Sequence, residues 1–351
     1  DDKNGALESI YDKELNRELL QQDGPYGGNQ YIYVSGGNGS RIVHSRGERP
    51  APELTLHGPE GAKFSAANGG PVSGSMVVEA AAHMTPKIKT TVTLYSDLKR
   101  IDIVNELTKE KTYDKEAVYF AFPFAAQDPT VALEIPDGVL RPQEDQIEGA
   151  CRDWYCVQRW ASVTGDSHRV AWSSPDAPLV CLGDINRGEW KKDINLEDGS
   201  LFSYTMNNYW FTNYKAGQGG DFTFRYAITS GKPGGQPRHF GWNYCSPLLT
   251  AALPAAQDGK LPAEGTSFCR AKPDTLNILT VKRAEDERGW ILRLQQTGDR
   301  DTTATITLPH FQPKKAWLCN MIEENQKELA VDGHTVRAPV KGKGIATVRV
   351  Q

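Results

Sequence analysis

The sequence predicts an all-β protein in which antiparallel sheets pack face to face. Three observations support this prediction. Apolar and polar residues alternate with a period of two in residues 88–95, 221–228 and 302–308, which is typical of half-buried strands. Turn-forming residues are abundant, with 33 glycines and 21 prolines. Long amphipathic helical patterns are absent from the sequence.

The chain opens on a hairpin-turn sequence. Asn4 and Gly5 form the dipeptide that favours a two-residue turn with positive φ, and residues 6–11 after it are predicted to form a strand. A hairpin needs two strands, and no strand precedes this turn. We therefore expect the 351 residues to be part of a longer polypeptide.

The next segments are predicted to be turns, loops and a buried strand. Residues 12–20 carry two leucines at helical spacing, which leaves a short helix and a turn both open. Residues 24–29 and 36–40 are glycine-rich loops, and the second lacks the Lys-Ser/Thr pair of a phosphate-binding loop. Residues 117–124 are almost continuously apolar, which predicts a strand covered on both faces.

The strand pattern divides the chain into two β modules. Residues 1–253 form the predicted large domain, residues 254–273 a connection rich in Pro, Ala and Gly, and residues 274–351 a small sandwich. Predicted strands of the small sandwich lie near residues 276–283, 290–296, 302–308, 315–320, 335–338 and 344–350.

Composition limits the partners and the redox chemistry. With 40 basic and 44 acidic residues the net charge is −4, which argues against a nucleic-acid or anionic-membrane surface. No apolar run approaches the ~20 residues that cross a bilayer. The six cysteines are interpreted as unpaired core residues, although one or two disulfides stay open for an exported protein.

Sequence motifs for catalysis and metal binding are absent. The seven histidines lie apart, there is no Cys-x-x-Cys pair, and no Gly-x-Ser-x-Gly segment occurs. The sequence therefore predicts no catalytic residue, no metal ligand and no cofactor in this chain. Glu144, Asp145 and Glu148 are the carboxylates best placed for glycoside chemistry, but the pattern favours a solvated acidic loop.

Two segments, residues 149–160 and 206–220, combine Trp and Tyr with Asn, Asp and Arg. Aromatic rings beside a few convergent polar groups are typical of sugar-binding surfaces, whereas rings that fill space between sheets are the structural alternative. Asn105 lies on the apolar face of residues 100–107, where a buried amide needs hydrogen-bond partners. It either ties strands together or points into a ligand cavity.

Several segments, taken in order, resemble the large C-terminal β domain of the glycoside hydrolase family 38 α-mannosidases. They are residues 5–13 with 17–19, then 98–106, then 115–117 leading into 121–124, and then 207–210 with 212–214. The end of the chain, with residues 289–294, 316–318 and a closing strand, resembles the last sandwich of the same family.

The resemblance implies a galactose-mutarotase-like antiparallel supersandwich followed by a smaller β-sandwich. In the family, an upstream α/β barrel carries a zinc ion and an Asp nucleophile, and none of the barrel's motifs occurs here. The resemblance therefore implies a non-catalytic β region that packs on a missing barrel and helps to wall the cleft for mannosides. By itself, this chain is expected to be inactive.

The two aromatic-polar segments supply the candidate cleft-facing side chains. They are Arg152, Asp153, Trp154, Asn208, Trp210, Asn213 and Lys215. Arginine can hold hydroxyl or carboxylate groups with two hydrogen bonds, and tryptophan can stack on a sugar ring. Two other functions stay open: a stand-alone carbohydrate-binding protein of the same fold, and a lyase or mutarotase-type enzyme with its own site.

Overall fold

The computed structural model describes residues 1–37, 52–188, 191–194, 196–209, 214, 216–235, 237–252, 262 and 265–351. These residues form sheets whose strand pairs are antiparallel, which confirms the predicted all-β fold class. Within the described ranges, no helix has the length and apolarity needed to cross a membrane.

The chain divides into two compact units. Unit 1 comprises residues 1–135 and 140–248, and unit 2 comprises residues 136–139 and 249–351. Part of the predicted connection 254–273 lies outside the described residues, and a short strand occupies its last residues. The domain limits 1–253 and 274–351 stay predictions.

Seventeen strands are described before the helix, and they are numbered in chain order. They are β1 (Tyr11–Asp12), β2 (Arg17–Glu18), β3 (Gln30–Gly36), β4 (Leu54–His57), β5 (Glu60–Gly69), β6 (Ser73–Ala82), β7 (Thr85–Tyr95), β8 (Ile101–Lys109), β9 (Glu116–Phe124), β10 (Thr130–Ile135), β11 (Gly138–Leu140), β12 (Tyr155–Cys156), β13 (Trp160–Thr164), β14 (Arg169–Ser173), β15 (Leu179–Leu182), β16 (Gly199–Asn207) and β17 (Gly220–Gly231).

These strands form two large sheets, which pack as a sandwich, and one small hairpin. The nine-stranded sheet has the order β11-β10-β13-β14-β17-β8-β7-β6-β5, and the six-stranded sheet has the order β12-β15-β16-β9-β3-β4. The core draws side chains from both sheets. Phe122 of the six-stranded sheet, for example, packs edge-on against Trp172 and Tyr226 of the nine-stranded sheet, with ring centroids 5.7 Å and 5.0 Å away.

Strand β9 is buried along its whole length, as its continuous apolar sequence predicts. One face of β9 lies in the core, and the other joins a second apolar cluster on the outer face of the six-stranded sheet. This outer cluster consists of Ile32, Val34, Ala117, Tyr119, Ala121, Cys181, Ile185, Phe202, Tyr204 and Tyr209. The six-stranded sheet is therefore covered on both faces.

The N-terminal strand prediction is wrong for most of residues 6–11. Leu7 forms only an isolated bridge to Gly28, and β1 begins at Tyr11. The Asn4 side-chain oxygen accepts a hydrogen bond from the Ala6 amide at 2.9 Å, and the Gly5 amide donates to the Asp1 carbonyl at 3.0 Å, so local contacts hold this turn. In the segment 12–20, left open above, residues 13–16 form the turn of the β1–β2 hairpin, so the segment contains a turn and no helix.

The pattern of the sequence did not predict the helix α1, which spans Pro237–Cys245. Gly241 lies against Trp160 of β13, and a Cβ added to Gly241 would be 2.6 Å from the Cβ of Trp160. The Trp242 indole donates to Glu134 Oε1 at 2.7 Å, and the Arg159 guanidinium lies 3.8 Å from the Trp242 ring centroid. Tertiary contacts therefore hold this helix on the nine-stranded sheet.

Unit 2 contains a four-stranded and a five-stranded sheet that share one apolar core. Their orders are β18-β21-β25-β24 and β19-β20-β26-β22-β23. The strands are β18 (Arg270–Lys272), β19 (Leu276–Arg283), β20 (Trp290–Gln296), β21 (Thr302–Thr307), β22 (Ala316–Cys319), β23 (Asn325–Leu329), β24 (Val331–Asp332), β25 (Thr335–Val340) and β26 (Ile345–Val350). Each strand predicted for the small sandwich has a counterpart among them.

All six cysteines are free, as predicted, but they are not all in the core. Cys181 and Cys319 are buried, whereas Cys151 and Cys156 are exposed. Cys156 is on the edge strand β12, where its side chain points away from the core while that of Tyr155 is buried, and Cys151 lies in the loop before this strand.

Candidate functional site

The first aromatic-polar segment runs along the outer edge of the six-stranded sheet. Its strand β12 pairs with β15, with Tyr155 opposite Val180. Trp154 packs against the outer cluster, and the next residue, Tyr155, is turned into the core. Burial raises the pKa of the Tyr155 hydroxyl, which donates to Gln146 Oε1 at 3.1 Å. This alternation positions Trp154 on the outer side of the sheet.

Arg152 and Asp153 occupy different depths of this edge. The Arg152 guanidinium donates to Asp193 Oδ1 at 2.8 Å, and the side chain of Asp193 is 84% exposed. Asp153 is only 1% exposed, and its carboxylate is one of the charges that act on the thiol of Cys181. Burial, together with nearby carboxylates, raises the pKa of the Cys181 thiol to about 12. Arg152 is thus held by a group at the surface, while Asp153 is part of the interior.

Residues 183–188 and 191–194 place further polar groups beside this edge, and the sequence reasoning missed them. The Arg187 guanidinium pairs with Asp184, with Nη2 donating to Oδ1 at 3.2 Å. The charges of Arg187 and Asp184 both act on the hydroxyl of Tyr26. The ring of Tyr26 packs edge-on against Phe202, with ring centroids 5.5 Å apart. The sequence feature that could have revealed these polar groups is the high density of charged residues in 184–193, between two strands.

The second aromatic-polar segment is only partly described. Asn208 is 2% exposed, its backbone amide donates to the Glu116 carbonyl at 2.8 Å, and its side-chain amide donates to the Asp114 carbonyl at 3.0 Å. It anchors the end of β16 to the start of β9. Trp210, Asn213 and Lys215 lie outside the described residues.

The sheet register separates Asn208 from the first segment. Tyr155 is opposite Val180 and Val180 is opposite Ser203, whereas Asn208 lies five residues beyond Ser203. With strands ~4.8 Å apart and a rise of ~3.3 Å per residue, Asn208 lies about 10 Å across and about 16 Å along the sheet from Tyr155. The structure therefore brings Arg152, Asp153 and Trp154 together and places Asn208 apart from them.

A buried ion pair lies directly behind Asn208. The Lys109 ammonium donates to both carboxylate oxygens of Glu116 at 2.7 Å, and the two side chains are 0% and 2% exposed. The Tyr33 hydroxyl donates to Glu116 Oε2 at 2.6 Å, and burial followed by this carboxylate raises the pKa of Tyr33. These contacts are structural, because the described surroundings leave no exposed face on the pair.

Asn105 ties strands together, which decides between its two predicted roles. Its side-chain amide exchanges hydrogen bonds of 2.9 Å and 2.8 Å with the amide of Asn29, and Thr90 donates to its oxygen at 2.7 Å. Asn29 precedes β3, whereas Asn105 is on β8, so the amide pair links the two large sheets.

The carboxylates weighed for glycoside chemistry form no acid–base pair in a cleft. Arg141 neutralises Glu144 at 3.1 Å and Asp145 at 2.8 Å, and Glu148 is exposed. Across the described part of the chain, no three His, Cys, Asp or Glu side chains are grouped so that they could hold a metal ion.

Comparison with known families matches both units. The model of the glycosyl hydrolases family 38 C-terminal domain matches residues 1–174, and the model of the family 38 C-terminal beta sandwich domain matches residues 275–348. No curated protein matches the chain.

Two solved structures share the fold. An alpha-mannosidase from Enterococcus faecalis V583 matches with a TM-score of 0.72 and 14% identity, over 98% of this chain and 40% of that one. A protein in the glycosyl hydrolase family 38 from Enterococcus faecalis matches with a TM-score of 0.70 and 14% identity, over 98% of this chain and 42% of that one. This chain thus spans less than half the length of either.

The family assignment follows from the two domain models, which match in the order in which the two units occur along the chain. This chain belongs to glycosyl hydrolase family 38, of which it carries the C-terminal domain and the C-terminal beta sandwich domain.

Proposed function

We propose that this chain is the non-catalytic C-terminal β region of a family-38-like α-mannosidase. In this role it packs on a zinc-dependent catalytic barrel and helps to wall the sugar-binding cleft. The observation that supports the proposal is the ordered match of two C-terminal domain models, at residues 1–174 and 275–348. The described residues group no side chains that fit a zinc ion, so the proposal assigns the metal to the barrel.

Within this proposal, the outer edge of the six-stranded sheet faces the sugar. Arg152 supplies a guanidinium held in place by Asp193, and Trp154 supplies an aromatic ring supported from behind by the outer cluster. Hydroxyl groups suit the first and C–H faces suit the second. Asp153 is buried beneath this edge, whereas Asn208 is buried at a separate place in the sheet. Trp210, Asn213 and Lys215 lie outside the described residues and stay candidates from the sequence alone.

An activity assay of the 351-residue chain tests the proposal. We expect no release of nitrophenol from 4-nitrophenyl α-mannoside, because the proposal places the nucleophile and the metal in the barrel. The control is the same assay with a polypeptide that also contains the barrel. Hydrolysis by the 351 residues, lost when one of their own carboxylates is changed to the amide, would overturn the proposal.

Arg152→Ala, made in the polypeptide that includes the barrel, tests the sugar-facing edge. We expect kcat/KM for an α-mannoside to fall roughly tenfold or more, because a hydrogen bond from a charged donor is lost. Arg141→Ala is the matched control, since Arg141 pairs with surface carboxylates and is expected to leave kcat/KM unchanged. Equal activity of the two variants would remove Arg152 from the cleft.

A further inference from the structure

The outer face of the five-stranded sheet in unit 2 carries a cavity of about 580 Å³. Two hairpin loops form its walls: residues 284–289 join β19 to β20, and residues 320–324 join β22 to β23. Cavities that bind small molecules in proteins span about 300–1,000 Å³. The space is therefore suited to a small ligand.

The floor of the cavity combines an aromatic ring with a fixed guanidinium. Trp317 on β22 lies opposite Arg349 on β26, so their side chains stand next to each other on the same face. The Arg349 side chain is 5% exposed; its Nη1 donates to both oxygens of Asp286 at 2.8 Å, and its Nη2 donates to the Glu323 carbonyl at 2.8 Å. This floor is held rigid before any ligand arrives.

The charges around the cavity largely neutralise one another. Asp286 pairs with Arg349 and, at 3.0 Å, with Arg288; Glu323 pairs with Lys282 at 2.8 Å. An anion would compete with the carboxylates for these cations, and a cation would compete with the cations for the carboxylates. The site therefore favours a neutral ligand that both donates and accepts hydrogen bonds.

The rim supplies such hydrogen-bonding groups around the ring. Lys315 donates, Glu324 accepts, and Asn325 does both; all three are exposed at the mouth of the cavity. A flat indole covers apolar C–H groups, and the surrounding polar groups match hydroxyls. Among small neutral molecules, this combination of an apolar face and a ring of hydroxyls is characteristic of a sugar.

We propose that this cavity in unit 2 is a binding site for a neutral saccharide, with Trp317 stacking on a sugar ring and Asp286, Lys315 and Asn325 contacting its hydroxyls. The site goes beyond the proposed wall of the cleft: it uses only residues of the small sandwich and does not depend on the barrel. It would hold a saccharide chain at a place where no bond is cleaved.

Binding to the 351-residue chain tests this site directly. Methyl α-mannoside, α-mannobiose and cellobiose serve as neutral probes and inorganic phosphate as the ionic one, each followed by calorimetry. NMR of the indole N–H groups of the eight tryptophans shows which tryptophan lies at the binding site. Trp317→Phe identifies the Trp317 resonance. We expect at least one saccharide to bind and to shift that resonance, and phosphate to do neither.

Matched variants separate the site from a general effect on the fold. Trp317→Ala is expected to weaken saccharide binding at least about tenfold, because the stacking ring is lost. Trp290→Ala is the control, since Trp290 is on the same sheet, is 44% exposed and does not line the cavity; its binding is expected to equal wild type. Lys315→Ala changes an exposed rim residue and is expected to weaken binding several-fold without loss of folding, which keeps the test valid if Trp317→Ala unfolds.

Two results would overturn the proposal. The first is the absence of binding by every saccharide to the folded chain. The second is binding that survives in folded Trp317→Ala and Lys315→Ala variants but is lost in Arg152→Ala, which would locate the sugar on unit 1. Neither result bears on the hydrolysis assay, so this inference and the proposed function can fail separately.

Discussion

At the scale of single residues, the buried ion pair of Lys109 and Glu116 shows how contacts set the cost of a substitution. We expect Glu116→Gln to lower the free energy of unfolding by about 3–5 kcal/mol, because it leaves the ammonium of Lys109 buried without a counter-charge. Glu106→Gln is the matched control: it breaks the solvent-accessible Lys89–Glu106 pair, which is 2.8 Å long, and is expected to lower the free energy of unfolding far less than Glu116→Gln does.

Urea unfolding of the two variants provides the measurement for this comparison. A similar small loss in both would show that the Lys109 ammonium finds water or another partner when Glu116 is neutral. Lys109 and Glu116 are only seven positions apart, but the sequence does not show that the pair is buried, because Tyr33, which also binds Glu116, lies 83 positions away along the chain. The need of Asn105 for partners was readable from its apolar face, but its partner Asn29 was not.

At the scale of elements, helix α1 depends on a glycine for close packing. We expect Gly241→Ala to destabilise the protein by about 1–3 kcal/mol, because the new Cβ would lie 2.6 Å from the Cβ of Trp160, which outweighs the better helix propensity of alanine. The control is Asn243→Ala at an exposed position of the same helix, where propensity alone predicts a slight gain in stability. Thermal unfolding measures both, and a stabilised Gly241→Ala variant would contradict the packing argument.

The helix could not be predicted from its own residues. Its nine residues include a glycine and several aromatic residues of modest helix propensity, and they bear no acidic residue in the first turn. Its contacts with Trp160 and Glu134 come from strands and loops roughly 80 to 110 positions earlier in the chain. The strands, in contrast, carry their period of two within each segment, which is why those of the small sandwich were predicted closely.

At the scale of the whole molecule, acid is expected to destabilise the fold. Burial raises the pKa of Asp12, but hydrogen bonds from Ser230, Lys99 and the backbone outweigh burial and hold it at about 2. Hydrogen bonds from Arg349 and the backbone likewise hold the pKa of Asp286 at about 2. The pKa of an aspartate in the unfolded chain is about 3.9. The stabilisation by these two carboxylates is therefore complete above that pH and is lost as the pH falls from about 4 towards 2.

Urea unfolding between pH 6 and pH 2.5 measures this dependence. Asp12→Asn is expected to be less stable than wild type at pH 6 and to lose less stability on acidification, since it has no proton to gain at that position. Asp2→Asn, at an exposed position, is the control and is expected to follow wild type. An Asp12→Asn variant with the same pH slope as wild type would show that Asp12 does not contribute to acid sensitivity.

The alternation of apolar and polar residues was enough to predict the all-β class, the doubly covered strand β9 and the strands of the small sandwich, because these patterns are local in the chain. The amide pair that links the large sheets, the packing site of helix α1 and the cavity floor of Trp317 beside Arg349 required the fold itself. Each of these joins residues that are far apart along the chain, and strand order and register, which no single segment encodes, decide which of them meet.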